Sequence, residues 1–257
     1  MNIFMTLLQK EFVGLWRSKK IIWLPIVFML LAVMQPVTSY FMEDILKMGG
    51  GLPEGAVFEM PTPTSGEVMA SVLSQLNTIG LLLIVVAVMG TISDERRNGS
   101  LILLMVRPVS PLKLVSSKTI ANGILLMVSF ILGYLFAYYY TVVLFDSVEL
   151  NHLIQAMLLY CLYIFFIVSS VILCSALWNS NGTIAIVSII FFSGLSMVSG
   201  WLTEALKWSP TNLSTYAVKI VTGVNQTDGL LGCLIVSVIC IVALVVAAAV
   251  VVKKKGL

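Results

Sequence analysis

The sequence predicts an all-α membrane protein. Of its 257 residues 59% are hydrophobic and only 11% charged, with a mean hydropathy of +1.04, well outside the range of soluble domains. Six apolar segments, at about 21–41, 68–92, 119–145, 153–178, 183–201 and 230–252, approach or exceed the roughly 20 residues that a helix rising ~1.5 Å per residue needs to cross a hydrocarbon core ~30 Å thick. The alternating strands of about ten residues that build a membrane β-barrel are missing from the pattern.

Charge sets the orientation. An even number of crossings puts both termini on one side, and twelve of the fifteen Lys/Arg fall on that side: Lys10, Arg17, Lys19 and Lys20 before the first span, five in 93–118, and Lys253 to Lys255 after the last. Both termini are therefore expected in the cytoplasm, in a multi-pass protein of the plasma membrane. Nine acidic residues, among them Glu43, Asp44, Glu67, Asp146 and Glu149, fall on the other side. The net charge of +3 hides this polarity. Because topology alone accounts for the basic residues, no nucleic-acid partner is implied.

Residues 1–20 are amphipathic. Phe4, Leu7, Leu8, Phe12, Leu15 and Trp16 recur at helical spacing, opposed by Gln9, Lys10, Arg17, Lys19 and Lys20, which predicts an interfacial helix along the inner leaflet. The apolar run that follows is too long for a signal peptide and lacks a clear cleavage site, so it is read as a retained span that runs through Pro25 and ends near Gln35-Pro36, where the ring removes a backbone donor and a kink is expected. In the outside loop, Gly49 to Gly51, Pro53, Pro61 and Pro63 leave no regular element. Glu59 and Met60 there belong to no ligand cluster, and no metal site is expected.

Residues 93–118 carry seven charges between two apolar spans: Asp94, Glu95, Arg96, Arg97, Arg107, Lys113 and Lys118. Asn98-Gly99 suits a helix C-terminus, Ser100 can cap a short helix over Leu101 to Val106 that Arg107-Pro108 stops, and Ser110-Pro111 marks a helix start. The predicted shape is helix, cytosolic cross-piece, helix. From Pro111 the third span would run about 35 residues or ~52 Å, long enough for its first turns, with Lys113 and Lys118, to project into the cytosol. Tyr134, Tyr138, Tyr139 and Tyr140 are expected in an outer aromatic belt.

The sole histidine, His152, ends a short outside hairpin and is read as interfacial or packing. Trp178 to Gly182 is an uncharged inner turn, and Ser193, Ser196 and Gly200 place small residues on one face of span five, a dimer or pathway face. Residues 202–229, divided by Pro210, predict two short helices forming an extracellular hairpin. Cys161, Cys174, Cys233 and Cys240 all lie in spans without a CxxC pairing and are read as packing residues.

No Asp, Glu, Lys, Arg or His falls in the middle of a span, which disfavours an ion-coupled carrier. The sequence also lacks an HExxH helix, a GxSxG elbow and a GxxxxGK[ST] phosphate loop. No catalytic or metal-binding residues are assigned, and energy for transport would have to come from another subunit.

Glu95-Arg96-Arg97-Asn98-Gly99-Ser100-Leu101, Leu104 and Arg107-Pro108-Val109-Ser110 resemble the cytosolic signature of the ABC-2-type permeases, the second type of ATP-binding-cassette exporter permease. Ile102 stands where that family often has glutamate. The amphipathic N-terminus, six spans and hairpin before span six fit the same family. The resemblance implies that Ser100 to Val106 form a coupling helix seated on a cytosolic ABC ATPase subunit, with Glu95, Arg96 and Arg97 as upstream contacts and Arg107 to Ser110 as the exit turn. It implies a homodimer or a heterodimer with a similar permease in the lipid bilayer, and no cofactor on this chain, since ATP and Mg would belong to the partner. The substrate would be amphiphilic: a lipid, a peptide or an antibiotic-like molecule. The rival reading is a membrane-bound regulatory or scaffold protein that sequesters a cytosolic factor through the same cross-piece.

Overall fold

The structure is a computed structural model that describes residues 3–42, 45, 63–101, 110–201, 206–224 and 228–255. Among the described residues every long element is helical: α1 (Ile3–Arg17), α2 (Lys20–Tyr40), α3 (Ser65–Arg97), α4 (Pro111–Leu144), α5 (Leu150–Leu177), α6 (Asn181–Trp201), α7 (Asn212–Val221) and α8 (Leu230–Lys255). Six of them, α2 to α6 and α8, are long and apolar enough to cross a membrane.

Local chemistry explains where these helices begin and end. Lys19 adopts a left-handed conformation, φ 56°, and separates α1 from α2. Thr64 and Glu67 form a reciprocal capping box at the start of α3, satisfying two of the donors that a helix N-terminus leaves open. The span thus opens three residues before the apolar run at Val68, and Glu67, expected in the loop, belongs to the helix. Ser110 is extended and Pro111 takes the first helical position of α4, as the Ser-Pro signal predicts. At 34 residues, α4 is about 51 Å long.

The bundle is organised around α5, whose most apolar window is 67% buried, with α4 and α3 next at 56% and 50%; α2, α6 and α8 are peripheral at 22% each. α2 buries Leu24, Phe28, Ala32 and Pro36, a four-residue repeat that makes one narrow stripe, and lays it on α4. Gly133 permits that approach, since a Cβ there would sit 2.8 Å from the Phe28 carbonyl oxygen. Gly66 plays the same part for the end of α7, with the Val221 carbonyl 2.8 Å from its missing Cβ. The regular ladder of α3 loosens to a π-turn at Leu76–Gly80.

One expectation is corrected by packing. Tyr134 is fully buried, stacked on Phe130, which in turn stacks on Tyr160 at 4.6 Å between centroids; helical periodicity turns it into the core, while Tyr139 faces outward. Of the two short helices expected between spans five and six, α7 is described, and it buries Leu213, Ala217 and Val221 against α5 and α3. Residues 202–205 and most of the 42–67 loop lie outside the described residues.

Candidate functional site

The stretch marked by the sequence lies where α3 ends and α4 begins. Asn98 N–H donates to the Asp94 carbonyl and Gly99 N–H to that of Arg96, with Gly99 left-handed at φ 71°, the geometry that lets glycine close a helix. Ser100 donates its hydroxyl back to the Glu95 carbonyl at 3.1 Å; the N–H groups it was expected to cap lie outside the described residues. Leu101, expected near the start of the coupling helix, is only 2% exposed and packs into the core. Leu104, Arg107 and Pro108 lie outside the described residues. Ser110 is exposed at the start of α4.

Around Glu95 four charges close into a ring. Lys10 and Lys118 both approach Glu95 Oε1, at 2.7 and 2.9 Å, and both approach Glu11 Oε1, at 3.4 and 3.0 Å. Each cation thus touches both carboxylates, and the ring is formally neutral. Lys118 is 1% exposed, which corrects its expected projection into the cytosol: α1 and the end of α3 cover it. Burial works against the Lys10 ammonium, but hydrogen bonding and charge attraction from Glu95, with help from Glu11, more than offset it and raise its pKa above the ordinary lysine value.

The opposite flank of α3 is seated on the turn between α5 and α6. Ser175 Oγ donates to the Met89 carbonyl at 2.7 Å and accepts the Ile92 and Ser93 N–H groups at 3.1 Å, at the point where regular α-helix is interrupted between Val88 and Gly90. A side chain has entered the backbone ladder. Nearby, Lys20 donates to the Ala87 carbonyl at 2.6 Å. Asn181 accepts from Ser93 Oγ at 2.6 Å and donates to Asp94 at 3.0 Å. Arg96 donates to Asn179 and to the Ala176 carbonyl, both at 2.7 Å, and Lys255 donates to the Leu177 carbonyl. Two cations therefore cap the C-terminal carbonyls of α5, where the helix dipole favours them.

Glu95 and Arg96 are thus held within the chain, while Arg97, Asn98, Leu112 and Lys113 point outward. The structure brings Glu95 and Arg96 together with four residues that sequence reasoning passed over: Glu11, Ser175, Asn179 and Asn181. Glu11 carried a usable signal, a lone acid on an otherwise basic amphipathic helix; the serine and asparagines carried none. Ser193 and Ser196 are exposed on α6, and Gly200 lies on the same helix. On α3, Ser74 and Thr78 are exposed and Asn77 half-buried beside the π-turn. Among the described residues no three potential metal ligands cluster.

Residues 7–196 match the family described as ABC-2 family transporter protein. The chain is also 35% identical over 246 residues to YxlG of Bacillus subtilis (strain 168), described as an uncharacterized transmembrane protein, with 96% of this chain and 95% of that one covered. Members of the matched family are membrane subunits that normally work with a separate ABC ATPase. With six membrane-capable helices and a match covering most of its length, this chain belongs to the ABC-2 family of transporter membrane proteins.

Proposed function

We propose that this chain is the permease subunit of an ABC exporter, with both termini in the cytoplasm and an ATPase subunit docked beneath the 93–113 region. The observation that carries this reading is the two-sided fixing of α3: Glu95 is held by α1 and α4, and Asp94 and Arg96 by the α5–α6 turn. A push on the segment that follows Arg97 is therefore passed to five helices at once. Arg97, Asn98, Leu112 and Lys113 are described side chains turned outward there, and they flank the 100–106 stretch that resembles a coupling helix and its exit turn at 107–110. ATP and Mg would be bound by the partner.

A second permease copy, or a similar chain, would cover the face of α6 that carries Ser193 and Ser196. Both serines are exposed among the described residues, and small residues permit close approach of helices in lipid. Ser74, Asn77 and Thr78 on α3 add small and polar residues within a membrane-spanning segment, the two hydroxyls bonded to the Ala70 and Ser74 carbonyls of their own helix, and such a face suits a partner helix or a substrate path. Together they support an amphiphilic cargo, a lipid, peptide or antibiotic-like molecule, moved outward by alternating access.

The test is reconstitution of the chain with its cognate ABC ATPase in liposomes, following a fluorescent phospholipid and a labelled amphiphilic peptide. ATP-dependent outward movement of either, absent when the ATPase is omitted, is expected. Binding of the ATPase with ATP hydrolysis but no movement of any amphiphile would favour the regulatory reading.

A further inference from the structure

Among the described residues Lys118 is the one charged side chain that is fully buried. It sits eight residues into α4, two turns from Pro111, and an ammonium taken out of water is retained only where carboxylates and hydrogen bonds satisfy it. Here two do, from different helices: Glu11 of α1 at 3.0 Å and Glu95 of α3 at 2.9 Å. Lys10 closes the ring on the outer side. Three helices far apart in sequence are thereby joined at one buried cation.

Apart from the ring, α1 is held by one apolar edge: Leu7 and Leu15 are buried and Leu8 and Phe12 pack partly buried against the core, while Ile3, Met5, Val13 and Trp16 are exposed. Stability does not require a ring of this kind, since a buried ionic cluster can commonly be replaced by apolar residues of similar size without loss. What the ring supplies is register. It fixes α1 to the last turn of α3 and to the early turns of α4, with Glu95 only two residues before Arg97, where α3 ends.

We propose that the Lys10–Glu11–Glu95–Lys118 ring is a coupling lock, in which Lys118 is the positioning residue that makes α1 move with the ends of α3 and α4 when the ATPase drives them. This rests on the permease reading above. Lys118 contacts neither substrate nor nucleotide. It acts by keeping three helix ends in one rigid unit, so that displacement of the 102–109 stretch is delivered to α1 and, through Lys19, to α2.

The lock is tested on the full chain in two readings. In the permease alone in nanodiscs, Lys118→Met combined with Glu11→Gln removes one cation and one anion and leaves the Lys10–Glu95 pair. Amide exchange in Leu7 to Arg17 is expected to accelerate at least about tenfold, with the α4–α5 core unchanged. In the reconstituted complex, substrate moved per ATP is expected to fall at least about tenfold, and Lys118→Arg, which keeps the charge, to stay near wild type in both readings. Unchanged α1 exchange overturns the lock, and faster α1 exchange with wild-type transport per ATP overturns its coupling role. Should the wild-type chain recruit no ATPase, the coupling role falls with the permease reading, and this is seen before any variant is made; the exchange experiment then still decides whether the ring fastens α1.

Discussion

The Ser175 hydroxyl of α5 donates to the Met89 carbonyl of α3 at 2.7 Å and accepts the Ile92 and Ser93 N–H groups in return. One side chain thus satisfies three backbone groups of a neighbouring helix inside the bundle, where unpaired polar groups are expensive. Ser175→Ala is expected to destabilise the permease by about 1–3 kcal/mol, read as a lower thermal unfolding midpoint and faster amide exchange at Ile92 and Ser93. Ser170→Ala, whose hydroxyl bonds only its own helix at Phe166, should have a smaller effect.

Gly133 lets α2 approach α4, because a Cβ there would collide with the Phe28 carbonyl and the Met29 amide nitrogen. Gly133→Leu is expected to force the helices apart and cost about 1–3 kcal/mol. Thermal unfolding in detergent measures this, and Gly194→Leu, which meets open space, serves as the control.

Tyr134 buries a hydroxyl that has no hydrogen-bond partner among the described residues, within a stack of Phe130 and Tyr160. Removing such a hydroxyl while keeping the ring is neutral or stabilising. Tyr134→Phe is therefore expected to leave the unfolding midpoint unchanged or raise it, whereas Tyr134→Ala should lower it by roughly 3–5 kcal/mol of stability.

Pairing with Glu95 raises the Lys10 pKa above its ordinary value of 10.5. A raised lysine pKa contributes stability that is fully present below the unfolded value and is lost as pH rises through the folded one. The Lys10 contribution to α1 docking is thus expected to hold through the neutral range and to weaken only above about pH 10.5. Comparing α1 amide protection in wild type and Lys10→Met, after correction for intrinsic exchange, checks this.

Much of the architecture was legible because bilayer thickness and helical rise leave few choices for long apolar runs. Asn98-Gly99 and Ser110-Pro111 placed the end of α3 and the start of α4, since glycine and proline act locally. The candidate site was less legible. The pattern of the 95–110 signature suggested contacts for a partner subunit, yet Glu95 and Arg96 are turned inward, Leu101 is buried and Lys118 lies under α1. Which face of a helix is covered depends on neighbours distant in sequence, and an uncharged turn such as 178–182 gives no sign that Asn179 and Asn181 will receive charged partners. Tyr134 was misplaced for the same reason: tyrosines near a span end favour the interface, but only the packed bundle decides which one faces inward.

Docking of an ABC ATPase beneath the outward-facing residues at the junction of α3 and α4 can be measured by ATPase capture. Leu112 is exposed, and Arg97 is exposed and pairs with the half-exposed Asp94 one turn before it, so Leu112→Asp with Arg97→Glu should leave the permease folded. We expect its unfolding midpoint to stay at the wild-type value while affinity for the cognate ATPase falls at least about tenfold, a loss of about 1.4 kcal/mol. Capture at wild-type affinity by this folded double variant would contradict the account.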